Sequence, residues 1–326
     1  MKDGFIKVAA ATPDVRVADC EYNATEIIRM IHEMEEQGAK VMVFPELCIT
    51  AYTCGDLFWQ ENLLEEAKVQ LVRIAEETKE VDALIFVGLP LEYNGKLYNV
   101  AAGLNHGEIL GFVPKTYLPN YNEFYEARYF TSGEHVDGTV HIDREAYKER
   151  YDSDFDDVEF DIEMASFDEF EELEEIDDED FDDEDFDDED FEDEDFEDED
   201  FEDEDFDDLD FEDEDFEDEL YEEDIWISPN TIFTCEDMPK LQIAAEICED
   251  LWVPNPPSVA HAFHGANLIV NLSASDEVVG KDSYRKSLVS AQSARLLCGY
   301  IYATAGEGES TQDVVYGGHN LIAENG

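Results

Sequence analysis

The stretch from residue 151 to residue 224 decides how much of this 326-residue chain can fold around a core. Residues 152–224 hold 50 Asp and Glu and no Lys or Arg. Phe recurs every five residues from Phe181 to Phe216, and the four residues in each interval are acidic, Leu209 excepted. A period of five matches neither the helical repeat nor strand alternation, so these rings cannot share one buried face. Charge repulsion within each repeat opposes collapse, and the tract reads as a disordered acidic insertion. An interaction tail and a low-affinity cation sponge are its functional alternatives.

Of the formal charge of −69, this tract carries −50 and leaves −19 on the rest, an acidic but ordinary value. No basic patch invites nucleic acid, and an anionic membrane surface would repel the chain. The longest apolar run, Ala83 to Leu91, is too short to span a bilayer, and the N-terminus has no signal-peptide core. Six cysteines without a CxxC pair suit reduced thiols in a cytoplasmic protein. His261 and His264 are spaced like one half of a metal motif, but no matching second pair exists, so no metal is expected.

Residues 1–150 and 225–326 read as two parts of one α/β domain, 252 residues once 151–224 is set aside. Strands are expected over Phe5–Ala11, Lys40–Phe44 and Ala83–Leu91, with helices over Cys20–Gln37 and Gln60–Glu80. Tyr98–Leu104 and Glu108–Val113 form a hairpin around Asn105, His106 and Gly107. After the tract, strands are expected over Trp226–Phe233, Lys240–Ile247, Asn267–Leu272 and Tyr300–Ala305, and a helix over Ser283–Leu297. Pro254, Pro256 and Pro257 exclude a strand or helix continuing through that region.

Three apolar runs end in chemistry. Glu46 follows VMVFP, Lys115 follows ILGFVP, and Cys248 follows LQIAAEI. If the strands lie side by side, an acid, an ammonium and a thiol meet at one rim of a sheet. A thiol with an ordinary pKa of about 8.5 needs a base to become a strong nucleophile, and a carboxylate within reach can take its proton. The ammonium favours a thiolate and can stabilise an oxyanion, helped by the backbone N–H after the cysteine. Taken singly, each has a bland alternative: a buried small hydrophobe, a solvated carboxylate and a surface charge.

The segments GAKVMVFPEL, GFVPKTYLPNYNEFYEARYF, EICEDLWVP and GANLIVNLSAS resemble the nitrilase (carbon-nitrogen hydrolase) superfamily. With TAYTCGDLF, KTYLPNYNEFYE and CEDLW, they are most similar to glutaminase domains of glutamine-dependent NAD synthetases. The resemblance covers nearly all of 1–135 and 225–326, and it implies a four-layer α-β-β-α sandwich. It implies Glu46 as general base, Lys115 as oxyanion stabiliser and Cys248 as nucleophile, with Glu123 as a second, supporting glutamate. Tyr52, Tyr121, Glu249 and Ser275 fall at positions that shape a glutamine pocket, and Lys281 joins them. The implied substrate is L-glutamine, the partner an ammonia-accepting synthetase domain, and the assembly a homo-oligomer. Glutamine hydrolysis itself needs no cofactor.

There are two departures. The acidic tract replaces a much shorter loop, and the sequence stops at HNLIAENG, before the synthetase domain that would need ATP and magnesium. No nucleotide-binding loop is present, so the chain is expected to make ammonia only. A stand-alone amidase of the same superfamily and a non-catalytic acidic interaction protein on this scaffold are the rival readings.

Overall fold

The computed structural model describes residues 5–151 and 222–326, and both stretches belong to one compact unit. The acidic insertion expected from sequence lies outside the described residues, apart from its edges. Tyr151 closes a helix, and Glu222, Glu223 and Asp224 begin a strand.

Seven strands form the first sheet. They are β1 (Val8–Ala10), β2 (Val41–Val43), β3 (Leu84–Tyr93), β4 (Lys96–Asn105), β5 (Glu108–Pro114), β6 (Gly138–Asp143) and β7 (Glu222–Ile227), in the order β1-β2-β3-β4-β5-β7-β6. The second sheet has β8 (Ile232–Cys235), β9 (Met238–Ile247), β10 (Leu268–Ser273), β11 (Gly299–Thr304) and β12 (Leu321–Glu324), in the order β12-β11-β10-β9-β8. Parallel pairs β1/β2/β3 and β9/β10/β11 lie within largely buried runs, as expected where both faces of a sheet are covered.

Strand alternation sorts the side chains. Val41, Val43 and Phe86 of the first sheet pack with Ile243, Ala245, Val270 and Ile301 of the second. Met42, Ile85 and Val87 face the opposite way, onto α1 (Cys20–Glu36) and α2 (Glu61–Glu77). The outer face of the second sheet, through Ala244, Ile269, Tyr300 and Tyr302, packs with Val289 of α5 (Lys281–Leu296). Helices therefore flank two facing sheets. No helix among the described residues is long and apolar enough to cross a membrane.

Local chemistry sets most boundaries. Asp19 accepts the Tyr22 N–H at 3.1 Å at the start of α1, and Gly38 follows its end at φ 80°. His106 and Gly107 both have positive φ, the two-residue turn that suits the β4–β5 hairpin.

The expected strand Trp226–Phe233 is two strands in different sheets. Pro229 lacks the N–H a continuing ladder needs, and the chain crosses between sheets there. Pro257 opens α4 (Pro257–Phe263), with its missing N–H at a helix start where no intrahelical partner exists. β6, β12, α4 and the short helix α3 (Glu145–Tyr151) had no sequence forecast. All six cysteines are free thiols.

Candidate active site

Glu46, Lys115 and Cys248 lie at the C-terminal ends of β2, β5 and β9, so the first two come from one sheet and the thiol from the other. They meet between facing sheets and not at one sheet's rim. The turn after β2 is pressed against β3. A Cβ on Gly88 would sit 2.3 Å from Leu47 N and 2.7 Å from the Pro45 carbonyl, so only glycine lets the Glu46 turn approach. The Glu46 N–H donates across the sheets to the Ser273 carbonyl at 3.3 Å.

Lys115 is buried, and its ammonium donates to Glu46 Oε1 at 2.6 Å and to Glu126 Oε1 and Oε2 at 2.7 and 2.8 Å. Burial alone would lower its pKa, but the charges of Glu126 and Glu46 outweigh it and hold the ammonium well above the ordinary lysine range. Asn99 on β4 donates to Glu46 Oε1 at 2.6 Å, while Glu46 Oε2 is buried without a hydrogen-bond partner among the described residues. That oxygen has capacity to receive a proton.

Glu126, and not Glu123, supports the lysine. Glu123, eight residues after Lys115, lines the cleft without a bond to it. The chain turns through Tyr121–Tyr125, and a 3-10 turn over Glu126–Arg128 brings Glu126 inward. Burial pushes the Glu126 carboxyl up, Lys115 pulls it down, and Glu46 pushes it up again. The Tyr52 hydroxyl donates to Glu126 Oε1 at 2.7 Å.

Cys248 opens a 3-10 turn over Cys248–Leu251 at φ 44°. Its thiol is raised by burial first and then by the Glu46 charge, against the lowering influence of Lys115. The resting thiol is therefore neutral and needs a base. Asp250 accepts the Ile247 and Tyr117 N–H groups at 3.0 and 2.7 Å, joining the cysteine turn to the exit of the lysine strand.

A cleft of about 750 Å³ opens on the Tyr52 and Glu126 side of the site, lined also by Glu123, Phe124, Tyr129 and Tyr316, while Glu46, Lys115 and Cys248 are not among its lining residues. The Tyr121 hydroxyl donates to Glu249 at 2.9 Å, and burial raises the Glu249 carboxyl. Lys281 pairs with Asp276 and stands 5.6 and 5.4 Å from the ring centres of Phe124 and Trp252. Ser275 is buried, with its hydroxyl accepting from Arg285 at 3.1 Å. Among the described residues no three His, Cys, Asp or Glu gather as metal ligands, and His261 binds the Pro229 carbonyl at 2.9 Å.

Glu126, Asn99, Asn271 and Glu309 are site residues beyond those expected from the sequence. Polar residues inside apolar strands, as in LYNVAAGL and LIVNLS, were the available signal. Glu309 has no such signature. It accepts the Tyr52 and Thr53 N–H groups at 2.8 and 3.0 Å from more than two hundred and fifty residues away.

This fold and these buried groups define an enzyme of the carbon-nitrogen hydrolase type. Residues 7–145 match the family described as carbon-nitrogen hydrolase. The chain is 30% identical over 323 residues to the glutamine-dependent NAD(+) synthetase of Mycobacterium bovis, covering 99% of this chain and 36% of that protein. It thus spans about a third of that relative's length. A glutamine-dependent NAD(+) synthetase from Cytophaga hutchinsonii has the same fold, with a TM-score of 0.65 at 24% identity, covering 98% of this chain and 39% of that one. An amidase from Nesterenkonia sp. matches in fold with a TM-score of 0.59 at 15% identity, over 100% of this chain and 84% of that one.

Proposed function

We propose that this chain is a glutamine amidohydrolase domain that releases ammonia from L-glutamine through a cysteine thioester. The ammonia would serve an ATP- and magnesium-dependent synthetase domain that amidates deamido-NAD. The observation that carries the reading is one ammonium held between two buried carboxylates, with the Cys248 thiol at a left-handed turn close enough to feel the charges of both Glu46 and Lys115.

Glu46 Oε2 takes the Cys248 proton as sulfur attacks the amide carbon. The oxyanion that forms is stabilised by the Lys115 ammonium and a backbone N–H beyond Cys248. Glu46 returns the proton to the leaving nitrogen, the C–N bond breaks, and ammonia departs from a thioester. Water, deprotonated by Glu46, then attacks the thioester carbon, and the proton returns to the thiolate as glutamate leaves. Glu126 keeps Lys115 charged throughout. For substrate recognition, Glu249, held by Tyr121, complements an α-ammonium, and Lys281 complements an α-carboxylate. Tyr52 and Ser275 act by holding neighbouring groups.

The test is ammonia release from glutamine by the purified chain and by Cys248→Ala. The parent should be active and the variant inactive, with an unchanged far-UV spectrum. Activity in Cys248→Ala within about tenfold of the parent would overturn the nucleophile assignment. A stand-alone amidase is the second reading, favoured by the pairing of Lys281 with Asp276, which already occupies the ammonium offered to an α-carboxylate. A substrate panel preferring another small amide over glutamine would select it.

A further inference from the structure

Cys248 has φ 44°, a region that costs about 1–2 kcal/mol for a residue with a Cβ, so its surroundings must hold it. Alternation along β9 would aim position 248 to the outer face with Ala244 and Glu246. Instead its side chain lies in the inter-sheet core with Ile243, Ala245 and Ile247. Two side chains take the N–H groups at this turn. Ile247 donates to Asp250 Oδ2 at 3.0 Å, and Cys248 donates to Asn271 Oδ1 at 3.2 Å.

Asn271 is fully buried on β10, in register with Glu246 of β9. An amide can face either way, and its neighbours permit one orientation. Glu246 Oε2 accepts the Ser258 N–H at 2.9 Å, and Oε1 accepts the Tyr300 hydroxyl proton. Having given its one proton to Glu246, the Tyr300 oxygen can only accept, and Asn271 Nδ2 donates to it at 3.2 Å. The amide oxygen is left facing the Cys248 N–H. Reversed, two donors would confront each other in a buried site.

We propose that Asn271 is a positioning residue for the Cys248 nucleophile, and that Tyr300 and Glu246 act through it by fixing which end of its amide faces the cysteine. The Cys248 N–H is thereby committed to Asn271 and is withheld from an oxyanion. The inference rests on the reading of Cys248 as the nucleophile.

Tyr300→Phe removes one hydroxyl, keeps the ring in the core and takes away the acceptor that holds the amide's Nδ2. The expected result is a kcat for glutamine about tenfold lower with KM within about twofold, because binding groups are untouched. Alkylation of Cys248 by iodoacetamide, followed by peptide mass spectrometry, should slow by about the same factor. Asn271→Leu, with similar volume and no acceptor, should slow both further. Alkylation needs no amide substrate, so it decides the proposal even if glutamine is not hydrolysed. Parent-like alkylation in Tyr300→Phe would overturn the proposal, as would a lowered melting temperature with unchanged alkylation. Should Asn271→Leu not fold, Tyr300→Phe decides alone.

Discussion

Lys115 donates to both oxygens of Glu126, at 2.7 and 2.8 Å, eleven residues further along the chain and out of solvent. The nearer Glu123 takes no part in this contact. Losing the Glu126 charge takes away one of the two carboxylates that hold the buried ammonium and leaves Glu46 as the other, and a hydrogen bond to a charged group is worth about 1.5–3 kcal/mol. Glu126→Gln should therefore lower kcat for glutamine by about 10²–10³ and lower the melting temperature. Glu123→Gln should stay within about fivefold of the parent in kcat, since no lysine bond is lost. Steady-state kinetics and thermal melts on the two variants check this, and the reverse ranking would contradict it.

Gly88 sets how closely β3 approaches the turn that presents Glu46. Ala at this position places a methyl 2.3 Å from Leu47 N, against backbone that cannot rotate away. Gly88→Ala should destabilise by about 1–3 kcal/mol or more through overpacking, and shift Glu46 enough to cut kcat. Denaturant unfolding and ammonia release measure the two effects. An active, equally stable variant would show that the turn yields freely.

Buried thiols make the fold sensitive to alkali. Burial pushes Cys48 and Cys54 up to about 12 and Cys298 to about 11, and it raises Cys20 and Cys248 as well. In each case the folded value lies above the unfolded value of about 8.5, so the unfolded chain releases protons that the folded chain keeps. The stabilisation is whole below that pH and is lost as pH climbs toward the folded values, by at most about 1.4 kcal/mol per pH unit per thiol. Melting temperature should fall steadily between pH 8.5 and 10, and Cys48→Ala should reduce the slope. A flat profile would argue against these shifts.

The two ends of the acidic tract are anchored without its middle. β6 pairs with β7 from Gly138↔Ile227 to Asp143↔Glu222. Arg144 bridges Glu76 at 2.6 Å and Glu223 at 3.0 Å, and Gln70 donates to the Tyr151 hydroxyl at 2.9 Å. The 50 acidic residues of 152–224 also outnumber the 19 Lys and Arg of the whole chain. Replacing 155–218 by a short Gly/Ser linker should keep glutaminase activity within about threefold and lower the loop-closure cost by about 1–2 kcal/mol. The melting temperature should depend less on salt. Loss of soluble expression or activity would show that the tract supports the domain.

Sequence and structure divide the site between them along physical lines. Apolar runs that stop at Glu46, Lys115 and Cys248 are local features, legible because a buried strand must end where charge begins. The same holds for the caps at Asp19 and Gly38 and for the His106–Gly107 turn, where backbone chemistry acts over a few residues. Periodicity says nothing about which sheet a strand joins. Only the tertiary structure put β2 and β5 in one sheet and β9 in the other, so that the acid and lysine meet the thiol across the core. Choosing Glu126 over Glu123 depended on how the loop after Lys115 turns, and two glutamates three residues apart look alike in a string. Asn271, Tyr300 and Glu246 are polar residues in apolar strands, ordinary one by one. They act together because adjacent strands bring them to one buried face, where each hydrogen bond fixes the direction of the next.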